Sequence, residues 1–279
     1  MSDFLQQMAA SSHERLRAAR ARLTESALLQ QALATPAPPA LRSNPARFDL
    51  IAELKLRSPA VGQLKSAADE DVEGRVTAYA RGGAAAVSVL TEPSRFDGSM
   101  SHLEKAATSL ARLNVPSMRK DFLVDPYQVI EARVAGAGGV LVILRMLPRT
   151  GVEALLDCAS KLGLFVLLEA FDEADIEAMH GFLGGVKGAT PVLAGLNCRD
   201  LTSLQIVPER LMELAHLLPA NVPRVAESGV VSPDDAARVA AVGYEYALVG
   251  SALMQGGDPQ ALATAMLKAG REARGGGNA

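Results

Sequence analysis

Short apolar runs alternate with longer amphipathic stretches of helical length from about residue 50 onward. This alternation is typical of βα units and a parallel sheet. Helix start signals, in which an N-cap residue precedes a proline, support the assignment at Asp125, Ser232 and Asp258. The runs that predict strands are LIAEL (50–54), AVSVL (86–90), VPSMR (115–119), VLVIL (140–144), FVLLE (165–169), VLAGL (192–196), RVAE (224–227) and YALVG (246–250).

These eight runs, each followed by a stretch long enough for one helix, fall within roughly 230 residues. A doubly wound sheet would more often have five or six strands, so the pattern predicts an α/β fold with a single (β/α)8 TIM barrel. Residues 1–46 predict an N-terminal helical extension that ends in a proline-rich connection. We expect residues 47–270 to form the catalytic barrel domain and the glycine-rich residues 271–279 to form a flexible tail.

The composition narrows the classes of partner and compartment. Of 279 residues, 49% are hydrophobic and 21% are charged, as in a soluble chain with a sizeable core. The formal net charge of -3 provides no broad basic field, so we expect no nucleic-acid and no membrane partner. Two cysteines exclude a disulfide framework and point to the cytoplasm. The N-terminus lacks the pattern of a signal peptide, and no apolar run reaches about 18 residues.

Polar residues at the carboxyl ends of the strands are the candidates for chemistry, because TIM barrels build their active sites there. Lysine and glutamate dominate, and no histidine lies at a strand end, which argues against a metal site and favours acid–base catalysis. Partial desolvation would make a lysine a better proton donor and a glutamate a better base. The alternative is that salt bridges merely hold the mouth together. The candidates are Glu53, Lys55, Ser58, Thr91, Glu92, Arg119, Lys120, Asp121, Arg145, Glu169, Asn197, Arg199, Asp200, Glu227, Ser228, Gly250 and Ser251.

Glycines after the last two strands suggest a phosphate site. Gly229 follows Glu227 and Ser228 after the seventh strand, and Gly250 precedes Ser251 after the eighth. Barrels often bind phosphate at these two loops through backbone amides. The alternative is that both glycines only permit tight turns.

Aromatic residues and cysteines add little to this picture. Phe96 and Phe122 lie just beyond strand ends and are candidates to stack on a substrate ring, or equally to pack on their own helices. Cys158 lies in a helical pattern and is expected to be a core residue. Cys198 follows a strand end and is a weak candidate for a reactive thiol.

The chain resembles the indole-3-glycerol-phosphate synthase family over nearly its whole length. The resemblance is carried, in family order and spacing, by IAELKLRSPAVG, GGAAAVSVLTEPSRFDGS, MRKDFLVDPYQVIEARVAGA, LLEAFDE, GLNCRDL, VAESGV and ALVGSALM. It implies a (β/α)8 barrel with an N-terminal helical extension. It also implies cyclisation of 1-(2-carboxyphenylamino)-1-deoxyribulose 5-phosphate to indole-3-glycerol phosphate in tryptophan biosynthesis, with loss of carbon dioxide and water and without a cofactor.

The same resemblance implies roles for individual residues. Lys120 would protonate the ribulose carbonyl oxygen, with Glu53 and Lys55 nearby, and Glu169 would assist the later dehydration. Asn197 would align the substrate. The implied catalytic set is Glu53, Lys55, Lys120, Glu169, Asn197 and Ser228, and the implied substrate contacts are Phe96 and Phe122 at the ring, Arg199 at the loop or the substrate carboxylate, Glu227 at the sugar, and Ser58, Gly229, Gly250 and Ser251 at the phosphate.

Departures from the family pattern leave alternatives open. Ala60 and Val61 stand where the family often has serine and lysine, and Cys198 stands where it often has asparagine, which leaves room for a paralogue that acts on a ring-modified substrate. Other possibilities are a phosphoribosyl anthranilate isomerase or related ribulose-phosphate barrel, and a noncatalytic barrel that binds a phosphorylated ligand. We expect a monomer or a weak homo-oligomer.

Overall fold

The structure, a computed structural model, describes residues 3–42, 48–59, 62–66, 70–183 and 191–275. Within these ranges eight parallel strands close into a barrel, each hydrogen-bonded to the next in chain order and the last to the first. The predicted (β/α)8 fold is therefore confirmed. The strands are β1 (Asp49–Leu54), β2 (Ala86–Leu90), β3 (Ser117–Lys120), β4 (Gly139–Ile143), β5 (Phe165–Ala170), β6 (Val192–Asn197), β7 (Arg224–Glu227) and β8 (Tyr246–Val249).

Helices precede the barrel and follow its strands. Two short strands, Arg57–Ser58 and Gly62–Gln63, form an antiparallel hairpin after β1. None of the helices in the described ranges is long and apolar enough to cross a membrane. The α-helices are α1 (Asp3–Arg22), α2 (Glu25–Ala34), α3 (Val72–Arg81), α4 (Pro93–Phe96), α5 (Met100–Ala111), α6 (Pro126–Val134), α7 (Arg149–Lys161), α8 (Glu173–Leu183), α9 (Glu209–Glu213), α10 (Pro233–Ala241), α11 (Ser251–Gln255) and α12 (Pro259–Gly275).

Strand boundaries differ from the predicted runs by one or two residues. The run at 115–119 begins as β3 only at Ser117, after Pro116, which has no N–H to donate. β4 begins at Gly139, one residue before the predicted run. A Cβ at Gly139 would lie 2.4 Å from the ring of Phe165 on β5, so glycine is required there for close packing.

Side chains alternate between the two faces of each strand, and this alternation separates two cores. In β1, Leu50 and Ala52 pack outward against the helices, whereas Ile51 faces the barrel axis. A polar residue two positions further along a strand therefore points into the mouth of the barrel. The inward apolar layers contain Ile51, Met118, Leu141, Leu167, Leu193, Val225 and Leu248.

The N-terminal helix α1 is fixed to the barrel by polar contacts as well as by its apolar face. Leu5 and Met8 are buried in the same cluster as the barrel interior. Arg15 donates two hydrogen bonds of 2.8 Å to the carboxylate of Asp121, which follows β3. Ser12 accepts a hydrogen bond of 2.8 Å from Gln128 on α6. These contacts hold α1 against the carboxyl ends of the strands.

The C-terminal helix α12 extends further than the sequence predicts. It continues to Gly275, which corrects the predicted start of the tail at residue 271. Arg271 donates to the carbonyl oxygen of Phe48 at 3.0 Å, and Arg274 donates to that of Tyr244 at 2.7 Å. These two bonds to the base of the barrel stabilise the last turns. Residues 276–279 lie outside the described residues.

Replacing Arg15 by Gln tests how α1 is held. Hydrogen bonds to charged groups contribute about 1.5–3 kcal/mol, so we expect a loss of this size in the free energy of unfolding by urea. Arg20→Gln is the matched control, because Arg20 lies on the same helix and its pairs with Glu25 and Asp125 are exposed. That variant should lose no more than about 1 kcal/mol. Equal losses would contradict a special role for the Arg15 contact.

Candidate active site

A cavity with an empty volume of about 1000 Å³ opens at the carboxyl ends of the strands. Every catalytic and substrate-contact residue that the family resemblance implies lines this cavity, so the closed barrel brings these residues together. They are Glu53, Lys55, Ser58, Phe96, Lys120, Phe122, Glu169, Asn197, Arg199, Glu227, Ser228, Gly229, Gly250 and Ser251.

Strand alternation places the acid–base side chains in the cavity. Glu53 lies two residues after the inward-facing Ile51 of β1, and Lys120 lies two residues after Met118 of β3. The side chains therefore stand on the last inward position of each strand, above the apolar layers. The same spacing on β5, β6 and β7 contributes Glu169, Asn197 and Glu227.

Lys55 and Glu53 form an ion pair at one side of the cavity. Lys55 Nζ lies 2.7 Å from Glu53 Oε1, and both side chains are largely buried. Burial raises the pKa of Glu53, but the positive charges of Lys55 and Lys120 outweigh burial and leave the pKa below its ordinary value. Glu53 is therefore a carboxylate at neutral pH.

Lys120 lies between the carboxyl groups of Glu169 on β5 and Glu227 on β7. Its Nζ is 3.1 Å from Glu227 Oε2 and 3.5 Å from Glu169 Oε1. Burial lowers the pKa of Lys120, but the charges of Glu169, Glu227 and Glu53 outweigh it and raise the pKa above its ordinary value. The neighbouring carboxylates together thus have a larger effect on Lys120 than desolvation has. The group is an ammonium that donates to Glu169 and to Glu227.

Glu227 follows the sequence expectation for a desolvated carboxyl group. Its side chain is 1% exposed, and burial raises its pKa above the ordinary value. Lys120 opposes this shift and the neighbouring charge of Glu169 adds to it. Oε2 accepts a hydrogen bond from Lys120, whereas Oε1 has no hydrogen-bond partner among the described residues. Glu227 thus retains a proton to a higher pH than an exposed glutamate does.

Asn197 fixes the orientation of Glu169. Its Nδ2 donates to Glu169 Oε1 at 2.6 Å. Its Oδ1 accepts hydrogen bonds from Ser228 Oγ at 2.9 Å and from the backbone N–H of Arg199 at 3.0 Å. Since one oxygen accepts from two donors, the amide can present only its NH₂ group to the carboxylate. Asn197 therefore connects Glu169 to the loops after β6 and β7.

The proposed phosphate residues gather at one end of the cavity. Ser58 is buried in the hairpin after β1, and Ser228 and Gly229 follow β7 with positive φ values of 68° and 74°. Gly250 ends β8 and adjoins the acid–base centre, because a Cβ there would lie 2.3 Å from Glu53 Oε1. Glycine is thus needed at Gly250 for close approach as well as for access to its amide.

An aromatic cluster lines the cavity beyond the ends of β2 and β3. The ring of Phe122 lies 6.0 Å from that of Phe96, with the planes at 38°, and 5.9 Å from that of Phe4 on α1, edge to face. Phe96 and Phe122 both line the cavity, and their contact with a substrate ring stays a prediction. The cluster forms an apolar wall of the size that an aromatic ring needs.

Several strand-end residues of the sequence prediction serve the framework, and of these only Asp121 also borders the cavity. Arg119 points outward from β3 and donates to Thr91, Gln128 and Asp121 at 2.8–3.2 Å. Arg145 pairs with Asp175 at 2.6 Å. The remaining four also have framework partners: Asp121 accepts from Arg15, Thr91 and Arg119, Thr91 thereby donates to Asp121, Glu92 accepts from the first turn of α4, and Asp200 accepts from Thr202 and Ser203 in its own loop.

Comparison with known proteins assigns the family. The family model described as indole-3-glycerol phosphate synthase matches residues 5–266. The chain belongs to this family. Indole-3-glycerol phosphate synthase of Nocardioides sp. is 43% identical over 211 residues, which cover 76% of each chain. That of Micrococcus luteus is 38% identical over 263 residues, which cover 92% of this chain and 94% of the relative.

A solved structure of thiamine phosphate pyrophosphorylase from Pyrococcus furiosus superposes on the chain with a TM-score of 0.59. It covers 82% of this chain and 98% of that one, at 17% sequence identity. At this identity the likeness supports the barrel fold alone.

The departures from the family pattern of indole-3-glycerol phosphate synthase fall in two places. Cys198 is fully buried, and burial raises the pKa of its thiol to about 11, so it is not a reactive thiolate. A Cβ at Gly229 would lie 3.1 Å from its sulfur, so Cys198 fills space beneath the loop after β7. Ala60 and Val61 lie outside the described residues.

Some cavity residues were missed in the sequence. Phe4 and Leu5 come from α1, and Phe171 and Leu201 follow strand ends as apolar residues that a search for polar groups passes over. The amphipathic spacing of Leu5 and Met8 on α1 was a signal that this helix has a buried face. Among the described residues no group of three histidine, cysteine or acidic side chains is placed to hold a metal ion.

The raised pKa of Glu227 predicts how stability depends on pH. Between the ordinary and the raised pKa the unfolded chain loses the Glu227 proton first, so this group lowers stability as the pH rises. Glu227→Gln removes the effect. The difference in thermal midpoint, variant minus parent, should therefore increase as the pH rises from about 4 to about 8. Glu53→Gln is the control, because the pKa of Glu53 is lowered: its thermal midpoint relative to the parent should fall with rising pH only below about pH 5 and should stay level from there to about pH 8. Parallel curves for both variants would contradict the assignment.

Proposed function

We propose that this chain is an active indole-3-glycerol phosphate synthase, a carboxy-lyase of tryptophan biosynthesis. Its substrate would be 1-(2-carboxyphenylamino)-1-deoxyribulose 5-phosphate, and its products indole-3-glycerol phosphate, carbon dioxide and water. The observation that carries the proposal is the buried Lys120 ammonium, 3.1 Å from Glu227 and 3.5 Å from Glu169, in a cavity that aromatic side chains and glycines also line.

The glycine-rich loops and the aromatic cluster that line the cavity suit the two ends of this substrate. Backbone amides at Gly229, Gly250 and Ser251, with the hydroxyl of Ser58, would hold the phosphate. The wall formed by Phe96, Phe122 and Phe4 would contact the anthranilate ring. Holding both ends bends the open-chain ribulose and brings its carbonyl carbon to the ring carbon that attacks it.

Lys120 is the proposed general acid of ring closure. It would donate a proton to the carbonyl oxygen as the ring carbon attacks, so that the oxygen becomes a hydroxyl group instead of an anion. Glu227 lies 3.1 Å from Lys120 Nζ and, with its raised pKa, can supply a proton in return. Lys55 and Glu53 would face the same intermediate from β1.

Glu169 is the proposed carboxylate of the dehydration step. After carbon dioxide has left, the hydroxyl group departs as water and a ring proton must be removed. Glu169 can accept this proton or stabilise the cation that precedes its loss, and Asn197 holds its Oε1 at 2.6 Å in a fixed orientation. Ser228 and Glu227 would contact the sugar hydroxyls. Arg199 donates to the carbonyl oxygen of Leu204 at 2.7 Å and would support the loop beside the substrate carboxylate.

The N-terminal helix would exclude water from the intermediates. Phe4 and Leu5 line the cavity from α1, and Leu5 is fully buried. We further propose that the protein acts in the cytoplasm as a monomer or weak homo-oligomer, without nucleic acid, membrane or cofactor. Both of its cysteines are free, which fits a reducing compartment.

One assay separates this proposal from the isomerase and from the noncatalytic barrel. Purified protein is incubated with the carboxyphenylamino-deoxyribulose phosphate, and indole fluorescence is followed against a chain that contains no tryptophan. We expect turnover by the parent protein and a loss of about 10²–10⁴-fold in kcat for Lys120→Ala, since that is the usual contribution of a general acid. Ligand binding by the parent protein without indole formation would contradict the proposal. A loss of kcat below about threefold for Lys120→Ala would show that Lys120 is not the general acid.

Glu169→Gln distinguishes a catalytic carboxylate from a partner of Lys120. The amide keeps the shape and the hydrogen-bonding capacity but loses the charge and the basicity. We expect normal folding, near-normal substrate binding and a kcat at least about tenfold lower, with dehydration as the slow step. A decarboxylated, still hydroxylated intermediate should then accumulate in rapid-quench samples. A lowered thermal midpoint with unimpaired turnover would instead support a purely structural ion pair.

A further inference from the structure

Gly195 lies on the inward face of β6, below Asn197 and beside the acid–base centre. In the barrel register it pairs with Glu169 of β5 and with Val225 of β7. The carboxylate of Glu227 leans over it from the neighbouring strand. A Cβ on Gly195 would lie 2.3 Å from Glu227 Oε1, far inside van der Waals contact.

The position of the Glu227 carboxylate depends on this missing side chain. Oε2 is held by Lys120 Nζ at 3.1 Å, but Oε1 makes no hydrogen bond with any described residue. Glu169 on β5 is a carboxyl group that interacts with Glu227, and Oε1 has no hydrogen-bond partner on β6. The space above Gly195 is what allows the carboxylate to lie deep enough for Lys120 to contact Glu227 and Glu169 together.

The backbone gives no other reason for glycine at this position. Gly195 is not among the residues with positive φ, and a glycine inside a strand costs about 0.5–1 kcal/mol relative to alanine. The other atoms near an added Cβ are Leu167 Cδ1 at 2.9 Å, at the end of a flexible side chain, and the carbonyl oxygen of Leu168 at 3.2 Å. Alanine therefore fits the fold with small adjustments, provided that Glu227 moves.

We propose that Gly195 is a positioning residue of the reaction: by lacking a side chain it seats the Glu227 carboxylate against β6 and so sets its contact with Lys120. The inference rests on the proposed function for its catalytic consequence. The displacement of Glu227 that it requires is independent of activity.

Gly195→Ala should separate turnover from substrate binding. The added methyl group pushes the Glu227 carboxylate toward the cavity and removes one of the two carboxylates from Lys120. We expect kcat to fall at least about tenfold, whereas KM should change by less than about threefold, because the amides proposed to bind phosphate lie in other loops. A less buried Glu227 should also lose its raised pKa, so any limb of the kcat profile that reports Glu227 should move to lower pH.

A double-mutant cycle with Glu227→Ala is the decisive test. If Gly195 acts through Glu227, the clash disappears once that side chain is removed, and Gly195→Ala should change the residual kcat by less than about twofold in the Glu227→Ala background. An equal loss in both backgrounds would overturn the proposal. Gly181→Ala on α8 is the matched control, because an added Cβ there meets only Arg149 Nη1 at 3.5 Å and turnover should not change.

Stability and geometry decide the matter if activity cannot. Should Gly195→Ala fold poorly, the proposal predicts that adding Glu227→Ala restores the thermal midpoint, and failure to restore it would contradict the proposal. Crystal structures of Gly195→Ala and of the parent protein supply a measurement that does not depend on activity. We expect the Glu227 carboxylate to lie more than about 1 Å further from β6 in the variant than in the parent. An unmoved carboxylate would overturn the inference whatever the activity.

Discussion

The ammonium of Lys120 lies where the closed barrel excludes most water, and a charge buried there requires opposite charges close by. Glu169 at 3.5 Å and Glu53 on β1 provide them, and Glu227, whose raised pKa lets it keep a proton to higher pH, accepts a hydrogen bond from Lys120 at 3.1 Å. Each carboxylate is in turn constrained: Glu53 by Lys55, Glu169 by Asn197 and Glu227 by the space over Gly195. The strand ends therefore form one electrostatic unit, and a change at one member alters the proton affinity of the others.

This unit also accounts for the way the N-terminal helix is attached. Asp121 directly follows Lys120, and its buried carboxylate accepts bonds from Arg15 of α1, Thr91 of β2 and the backbone N–H of Phe122. Burial raises the pKa of Asp121, but Arg119 and Arg15 outweigh burial and hold it well below its ordinary value. The same short segment thus presents Lys120 inward and anchors the covering helix outward. The contact that holds α1 and the placement of Lys120, the proposed general acid, therefore depend on one stretch of chain.

Sequence reasoning was most successful where one periodicity governs structure. A two-residue repeat and one βα unit per crossover were enough to predict the barrel and to bring Glu53, Lys120 and Glu227 into one cavity. The same repeat, applied strictly, would have turned Arg119 outward, since it adjoins the inward-facing Lys120. The two-residue repeat does not predict the direction of the Arg145 side chain. β4 is followed by a 3-10 helix over Leu144–Met146, so the alternation of a strand no longer applies there. The contact of Phe4 with Phe122 could not be predicted, because it depends on how a helix docks more than 100 residues away in sequence.

The packing roles of glycines in the barrel were the hardest feature to predict from the sequence, because strand patterns treat glycine only as a weak strand residue or a turn former. Two of them have a common physical role. A Cβ at Gly195 would meet Glu227 Oε1 at 2.3 Å, and one at Gly250 would meet Glu53 Oε1 at 2.3 Å and Lys55 Nζ at 3.1 Å. Gly250 is also proposed to offer its amide to the phosphate. The proposed phosphate site and the Glu53–Lys55 pair therefore meet at this one glycine. A ligand that shifts the loop at Gly250 therefore shifts the room available to Glu53, so phosphate binding and acid–base geometry are coupled by packing as well as by charge.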